Sequence, residues 1–262
     1  MDSTIFLFLV QDGVINGAIY SVVALALVLV FTVTRIIFVP EGTFVAFAAF
    51  TMSALEAGKL PATTWLLVSL GCLSALSTLI ISRRSLTFKA LVLRLCFDLA
   101  IPMALLGLTV LLAPLKVSPP IAIALTLALI VPMGPLIYRI AFEPMQHASV
   151  LVLLIAALGV HFSLQGLGLF FFGPEGIGTT SLITSTFAVG DIVVTGQSLA
   201  VLLTTAVSLL LFALLFERTV LGKALRACAS NRLGARLVGI PATAHVVAAG
   251  GPAISRGPAV VE

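Results

Sequence analysis

Charge is what this chain has least of. Asp, Glu, Lys and Arg make up 9% of its 262 residues, against about 25% in an ordinary soluble domain. Several catalytic signatures are missing as well. No G-x-x-x-x-G-K-[ST] phosphate loop occurs, so the chain holds no P-loop with which to hydrolyse ATP. It also lacks an H-E-x-x-H pair and a G-x-S-x-G elbow, the signatures of zinc peptidases and α/β-hydrolases. Cysteine is scarce. Cys72, Cys96 and Cys228 show no metal-ligand spacing, and no disulfide framework is expected. The N-terminus, MDSTIFLFLVQDG, has no positive n-region and no small-residue cleavage site, so it does not read as a cleaved signal peptide.

Apolar residues fill the space that charge leaves. They are 60% of the chain, gathered into seven long stretches. These run Gly13–Thr34, Pro40–Leu55, Leu60–Ser82, Leu99–Leu115, Val117–Tyr138, Ala148–Phe172 and Ile192–Phe216. A hydrocarbon core of about 30 Å takes about 20 apolar helical residues to cross. The expected fold is therefore an all-α, polytopic transmembrane helix bundle of about seven spans. Spans and short loops use nearly the whole chain, which leaves no room for a soluble catalytic domain.

The connecting charges alternate. Arg35 follows the first stretch, Arg83, Arg84, Lys89 and Arg94 the third, and Arg139 the fifth. Arg218, Lys223, Arg226, Arg232 and Arg236 follow the seventh. The other loops carry only Lys59 and Lys116, beside Asp2, Asp12, Glu56, Glu175 and Asp191. Lys and Arg mark cytoplasmic loops, so the N-terminus is expected outside and the C-terminus inside. The same rule accounts for the net charge of +4 without any nucleic-acid partner. Residues 83–98 alternate basic and apolar types and are expected to lie along the inner surface.

Four segments carry polar chemistry. Asn16, Gly17 and Tyr20 sit in the first stretch, with Asn16 and Tyr20 on one helix face. They form either an interhelical hydrogen-bond patch or a lining of a transport path. Glu41, next to Gly42, reads as the only carboxylate in the spans and their tight turns. It is either a functional intramembrane acid or an interfacial group, hydrated or paired with Arg35. His161 and Gln165 fall one turn apart in the sixth stretch, to bond a neighbouring helix or to line a pathway. After the seventh stretch, Leu221, Ala224, Leu225 and Cys228 make an apolar stripe, with Lys223, Arg226 and Ser230 on another face. That helix either rests on anionic lipid or docks into a cytoplasmic protein.

Three blocks resemble the LivH-type permease subunit of branched-chain amino acid ABC importers. The first, NGAIYSVVALALVLVFTVTRIIFVPEG, is similar to the family's N-G-x-x-Y-x-L-x-A-L-G-L and R-I-I-N-F-A-H-G through Asn16, Gly17, Tyr20, Ala24, Leu25, Arg35, Ile36 and Gly42. The second, LGVHFSLQGLGLFFFGP, matches at Gly159, Gln165, Phe172, Gly173 and Pro174. The third, RTVLGKALRACASNRLGARLVGI, matches at Arg218, Thr219, Leu221, Gly222, Ala224, Arg226, Ala227, Gly239 and Ile240. The blocks stand in family order from the first stretch to Ile240.

The resemblance implies a second related permease subunit, two ATP-binding subunits and a periplasmic substrate-binding protein, in a bacterial inner membrane. ATP and Mg would belong to the ATPase partner, with no cofactor in this chain. The resemblance implies a path lined by the first and sixth stretches, with Asn16, Tyr20 and Gln165 on it; taken with the polar segments above, the candidate path residues are Asn16, Gly17, Tyr20, Glu41, Gly42, His161 and Gln165. The implied ATPase-coupling residues are Leu221, Gly222, Lys223, Ala224, Leu225, Arg226 and Gly239. Urea or short amides are alternative substrates, and a transport-inactive remnant is an alternative role.

The chain departs from the family at Glu41, where His is usual, at Phe38, where Asn is usual, and at His161, to which no family role transfers. Residues 66–137 resemble the family in hydrophobicity only. Residues 1–240 are thus expected to form an incomplete permease domain. Residues 241–262, rich in Ala, Gly and Pro, read as a disordered tail, as though the natural frame had been lost after Ile240.

Overall fold

The computed structural model describes residues 3–34, 36–82, 88–115, 118–145, 148–175, 178–179, 183, 185–189, 192–230 and 232–237. The expected tail over 241–262, Gly239, and the loop charges Asp2, Arg35, Arg83, Arg84, Lys116 and Asp191 lie outside them. The fold is all-α, with one short β-hairpin, and divides into two compact units.

The first unit holds α1 (Ser3–Thr34), the hairpin β1–β2, and α8 (Gly196–Arg218), α9 (Val220–Ser230) and α10 (Arg232–Leu237). Polar side chains within α1 satisfy themselves locally. Ser21 Oγ donates to the Gly17 carbonyl at 2.7 Å, and Thr32 Oγ1 to that of Val28 at 2.6 Å. A hydroxyl returned to the carbonyl four residues back needs no water, which suits an apolar surrounding. Asp12, exposed, does not delimit the helix, which begins nine residues before it at Ser3. β1 (Thr186–Val189) pairs antiparallel with β2 (Ile192–Thr195), Thr186 opposite Thr195. The start expected for the seventh stretch is therefore corrected. Ile192, Val193, Val194 and Thr195 are β-branched and form a strand, and the helix starts at Gly196. Thr195 caps it by accepting from the Ser198 amide at 3.3 Å.

The second unit holds α2 (Glu41–Glu56), α3 (Ala62–Ser77), α4 (Phe88–Leu112), α5 (Pro119–Ile130), α6 (Met133–Ile137) and α7 (Val150–Phe172). Two π turns extend its helices. Thr78–Ser82 continues α3, and Tyr138–Phe142 continues α6. α3 is the centre. Leu66, Leu67, Thr63, Thr64 and Ser74 are fully buried, and α3 packs against α2, α4, α5, α6 and α7. Around it Phe47, Leu129, Met133, Phe142 and Ala157 form one core, with Leu55, Ala113, Ala122 and Leu125 in a second cluster. Prolines set the starts: Pro40 and Pro61 precede α2 and α3. Gly173 ends α7 at φ +81° and ψ 176°, a conformation open essentially to glycine alone.

Six helical segments among the described residues are long and apolar enough to cross a membrane. None of the most apolar window of α1 or α8 is buried, against half that of α3. Apolar side chains turned outward over a whole helix length are the surface a lipid tail accepts. The second expected span differs from the others. α2 has 16 residues, about 24 Å at 1.5 Å per residue, because Pro40 opens it and Gly58, at φ +68°, follows its end.

The reading of residues 83–98 as a surface segment is corrected over 94–98. Those residues belong to α4 and open its membrane-length apolar stretch, Arg94–Leu115. Their charges mimic a loop, but Arg94 and Asp98 are matched by partners on neighbouring elements. A paired charge can stand inside a span where a bare one cannot.

Candidate functional site

α2 lies along α7 in the second unit, and its buried face reads Thr43, Phe47, Thr51, Leu55, a helical repeat of four. Thr43 Oγ1 and His161 Nδ1 share a hydrogen bond of 3.3 Å. Farther along, Phe47 and Phe50 pack on Phe172, with ring centroids 5.4 and 4.7 Å apart. Phe47 also closes over Gly168, where an added Cβ would stand 2.9 Å from its ring. The small residue lets the aromatic ring reach the α7 backbone. His161 thus binds a neighbouring helix. Its partner is a hydroxyl that the sequence reading did not single out.

Glu41 opens α2, and its Oε1 is shielded and has no hydrogen-bond partner among the described residues. Gly42 is exposed, with open space around the position of a Cβ. Gln165 is exposed on α7. In the first unit, Asn16, Gly17 and Tyr20 are all exposed on α1, Tyr20 at 72%. No hydrogen bond joins the Asn16 or Tyr20 side chain to a described residue, so within this unit they form no interhelical patch. Gln11, one turn from Ile15 on the same helix, has a shielded Oε1 without a partner among the described residues. A lone Gln among Leu and Val was a signal for it.

The second candidate region is the turn from α8 into α9. Thr219 sits between the two helices in an extended conformation, φ −90° and ψ 153°. Its Oγ1 accepts from the Gly222 amide at 3.1 Å, which caps α9. Gly222 is pressed onto the end of α8: a Cβ there would lie 2.3 Å from the Leu215 carbonyl oxygen and 2.5 Å from Phe216 Cα. Ala224 is buried and Leu225 half-buried, while Lys223, Arg226 and Ser230 are exposed. The expected division of faces holds over these residues. α9 is described at Leu221, but Gly239 lies outside the described residues.

One carboxylate contradicts the expectation that Glu41 stands alone. Asp98, 1% exposed, lies inside α4. Its Oδ1 accepts from Arg139, and its Oδ2 from Ser74 Oγ at 3.0 Å. Arg94, one turn earlier, pairs with Glu143 at 3.1 Å. The spacing of Arg94 and Asp98 on one helix face, four residues before Pro102, was the available signal. Among the described residues no group of His, Cys, Asp and Glu is placed to hold a metal ion.

A family model described as the permease component of the branched-chain amino acid transport system matches residues 9–250. No curated protein and no solved structure matches the chain.

Proposed function

Because the chain belongs to the family of branched-chain amino acid transport permease components, we propose that it forms half of the membrane passage of an ABC importer for leucine, isoleucine, valine or a related small solute. It sits in a bacterial inner membrane beside a second, related permease. ATP and Mg are bound by separate ATPase subunits, and a periplasmic protein delivers the solute.

The observation that carries this reading is the turn into α9. A short helix with an apolar side against α8 and cations outward stands directly after the last apolar helix. Thr219 caps it and Gly222 fixes it. A force applied to the outward face of such a helix passes to α8 with little slack, because backbone rests on backbone. ATP binding closes the ATPase pair and pushes α9. The spans then rock between outward-open and inward-open states. Asn16, Gly17 and Tyr20 of the first unit, and Glu41, Gly42, His161 and Gln165 of the second, are the residues assigned to the solute's route. Leu221, Gly222, Lys223, Ala224, Leu225, Arg226 and Gly239 form the contact with the ATPase.

Uptake in a strain lacking the gene tests the substrate. Labelled leucine enters slowly and recovers when the gene is restored, while labelled urea enters as before. Loss of urea uptake with normal leucine uptake would replace the substrate. Failure of any ATP-binding subunit to co-purify would remove the coupling.

A further inference from the structure

The backbone of the second unit is irregular at four places, and all four surround or lead into one cluster of charges. Pro102 interrupts α4 and leaves the Asp98 carbonyl without its helical donor. That carbonyl meets α3 at Gly71, where an added Cβ would stand 2.6 Å from it. α3 then runs into the π turn Thr78–Ser82, four residues beyond Ser74. Val131 and Pro132 separate α5 from α6, and α6 runs into the π turn Tyr138–Phe142, which carries Arg139. Glu143 follows directly. Ser74, Asp98 and Arg139 are joined inside, and Arg94 and Glu143 are joined on the outer side.

A buried ion pair is a poor means to stability alone, since apolar residues of like size often serve as well. Charge inside a membrane span more often marks a working part. The outer pair is only part-buried, its side chains 17% and 25% exposed, against 1% for Asp98 within. A π turn holds one extra residue per turn. It can give that residue back to the α-helix and so turn the helix beyond it without breaking the ladder.

We propose that the Ser74–Asp98–Arg139 cluster, closed on its outer side by Arg94–Glu143, is a releasable latch. It clamps α3, α4 and the Tyr138–Phe142 turn in one state of the transport cycle and opens in another. Asp98 is the positioning residue and holds both Arg139 and Ser74. That the opening follows the ATPase stroke rests on the function proposed above; the latch itself does not.

A cysteine reporter reads the state of the latch. Thr78, 4% exposed, is replaced by Cys in a chain whose Cys72, Cys96 and Cys228 are Ser. A charged, water-soluble methanethiosulfonate is then applied to membrane vesicles of both orientations. The buried thiol reacts slowly. Glu143→Gln, which keeps the size of the side chain and removes its charge, raises the rate severalfold, and Asp98→Asn raises it further. Arg94→Lys, which keeps the cation facing Glu143 and Asp98, leaves labelling slow, which a misfolded protein would not do. Trapping the complex with ATP, Mg and vanadate shifts the rate in the parent protein. Equal rates in the parent, Glu143→Gln and Asp98→Asn would overturn the latch and leave a fixed staple. If no ATPase subunit joins, the trapping arm fails together with the proposed function, and the vesicle arm still decides the latch.

Discussion

Gly17 and Gly222 are both glycines on helices, but their surroundings differ. An added methyl at Gly222 meets the Leu215 carbonyl at 2.3 Å, whereas at Gly17 it meets no described atom within 4 Å. Gly222→Ala therefore pries α9 from α8. It is expected to lower stability by about 1–3 kcal/mol, read as a fall in the unfolding midpoint in detergent and in the recovery of ATPase subunit. Gly17→Ala is expected to stay within about 0.5 kcal/mol of the parent. A transport defect in that variant with unchanged unfolding would place Gly17 on the solute's route. Thr51 and Thr63 give a second contrast. Their hydroxyls share a buried 2.6 Å bond between α2 and α3. Thr51→Val alone costs about 1–3 kcal/mol by leaving Thr63 unpaired, while the double change to Val is nearly neutral. Thermal unfolding of the three variants checks the pattern.

At the scale of elements, hydrophobic length revealed most of the helices. Pro40, Pro61 and Gly173 mark boundaries as their backbone chemistry requires. What sequence could not disclose was pairing. Arg94 and Asp98 look like a loop until Arg139 and Glu143, more than forty residues on in the chain, are brought beside them. Periodicity is blind to partners at that distance. The same limit hid Thr43, whose value lies in meeting His161 across two helices. By contrast, the capped start of α9 could be read in R-T-V-L-G, where a Thr precedes the helix and a Gly follows three residues later. Thr219→Ala removes that cap and is expected to cost about 1 kcal/mol. It should weaken ATPase retention in pull-downs more than it lowers the unfolding midpoint of the bundle.

For the molecule as a whole, the arrangement of Lys and Arg predicts which loops face the cytoplasm. Lys59, after α2, and Lys223, on α9, are both exposed. In a chain freed of its native cysteines, Lys59→Cys is expected to react with an impermeant maleimide from outside the cell, and Lys223→Cys only from the cytoplasmic face of inverted vesicles. Reaction of Lys59→Cys from the cytoplasmic face instead would show that α2 enters and leaves on one side. The six longer helices carry the all-α reading in either case.

The brevity of α2 bears on how far a solute must travel without water. At 16 residues the helix is roughly 6 Å shorter than a 30 Å hydrocarbon slab. Its last turn closes on backbone bonds from Ala57, Gly58 and Lys59, whereas its first turn has no side-chain cap at Pro40, and a span this short draws headgroups and water inward. If the proposed route runs beside α2, a zwitterion on it sheds its hydration over a shorter stretch, and thicker membranes are expected to lengthen the dry interval and slow uptake.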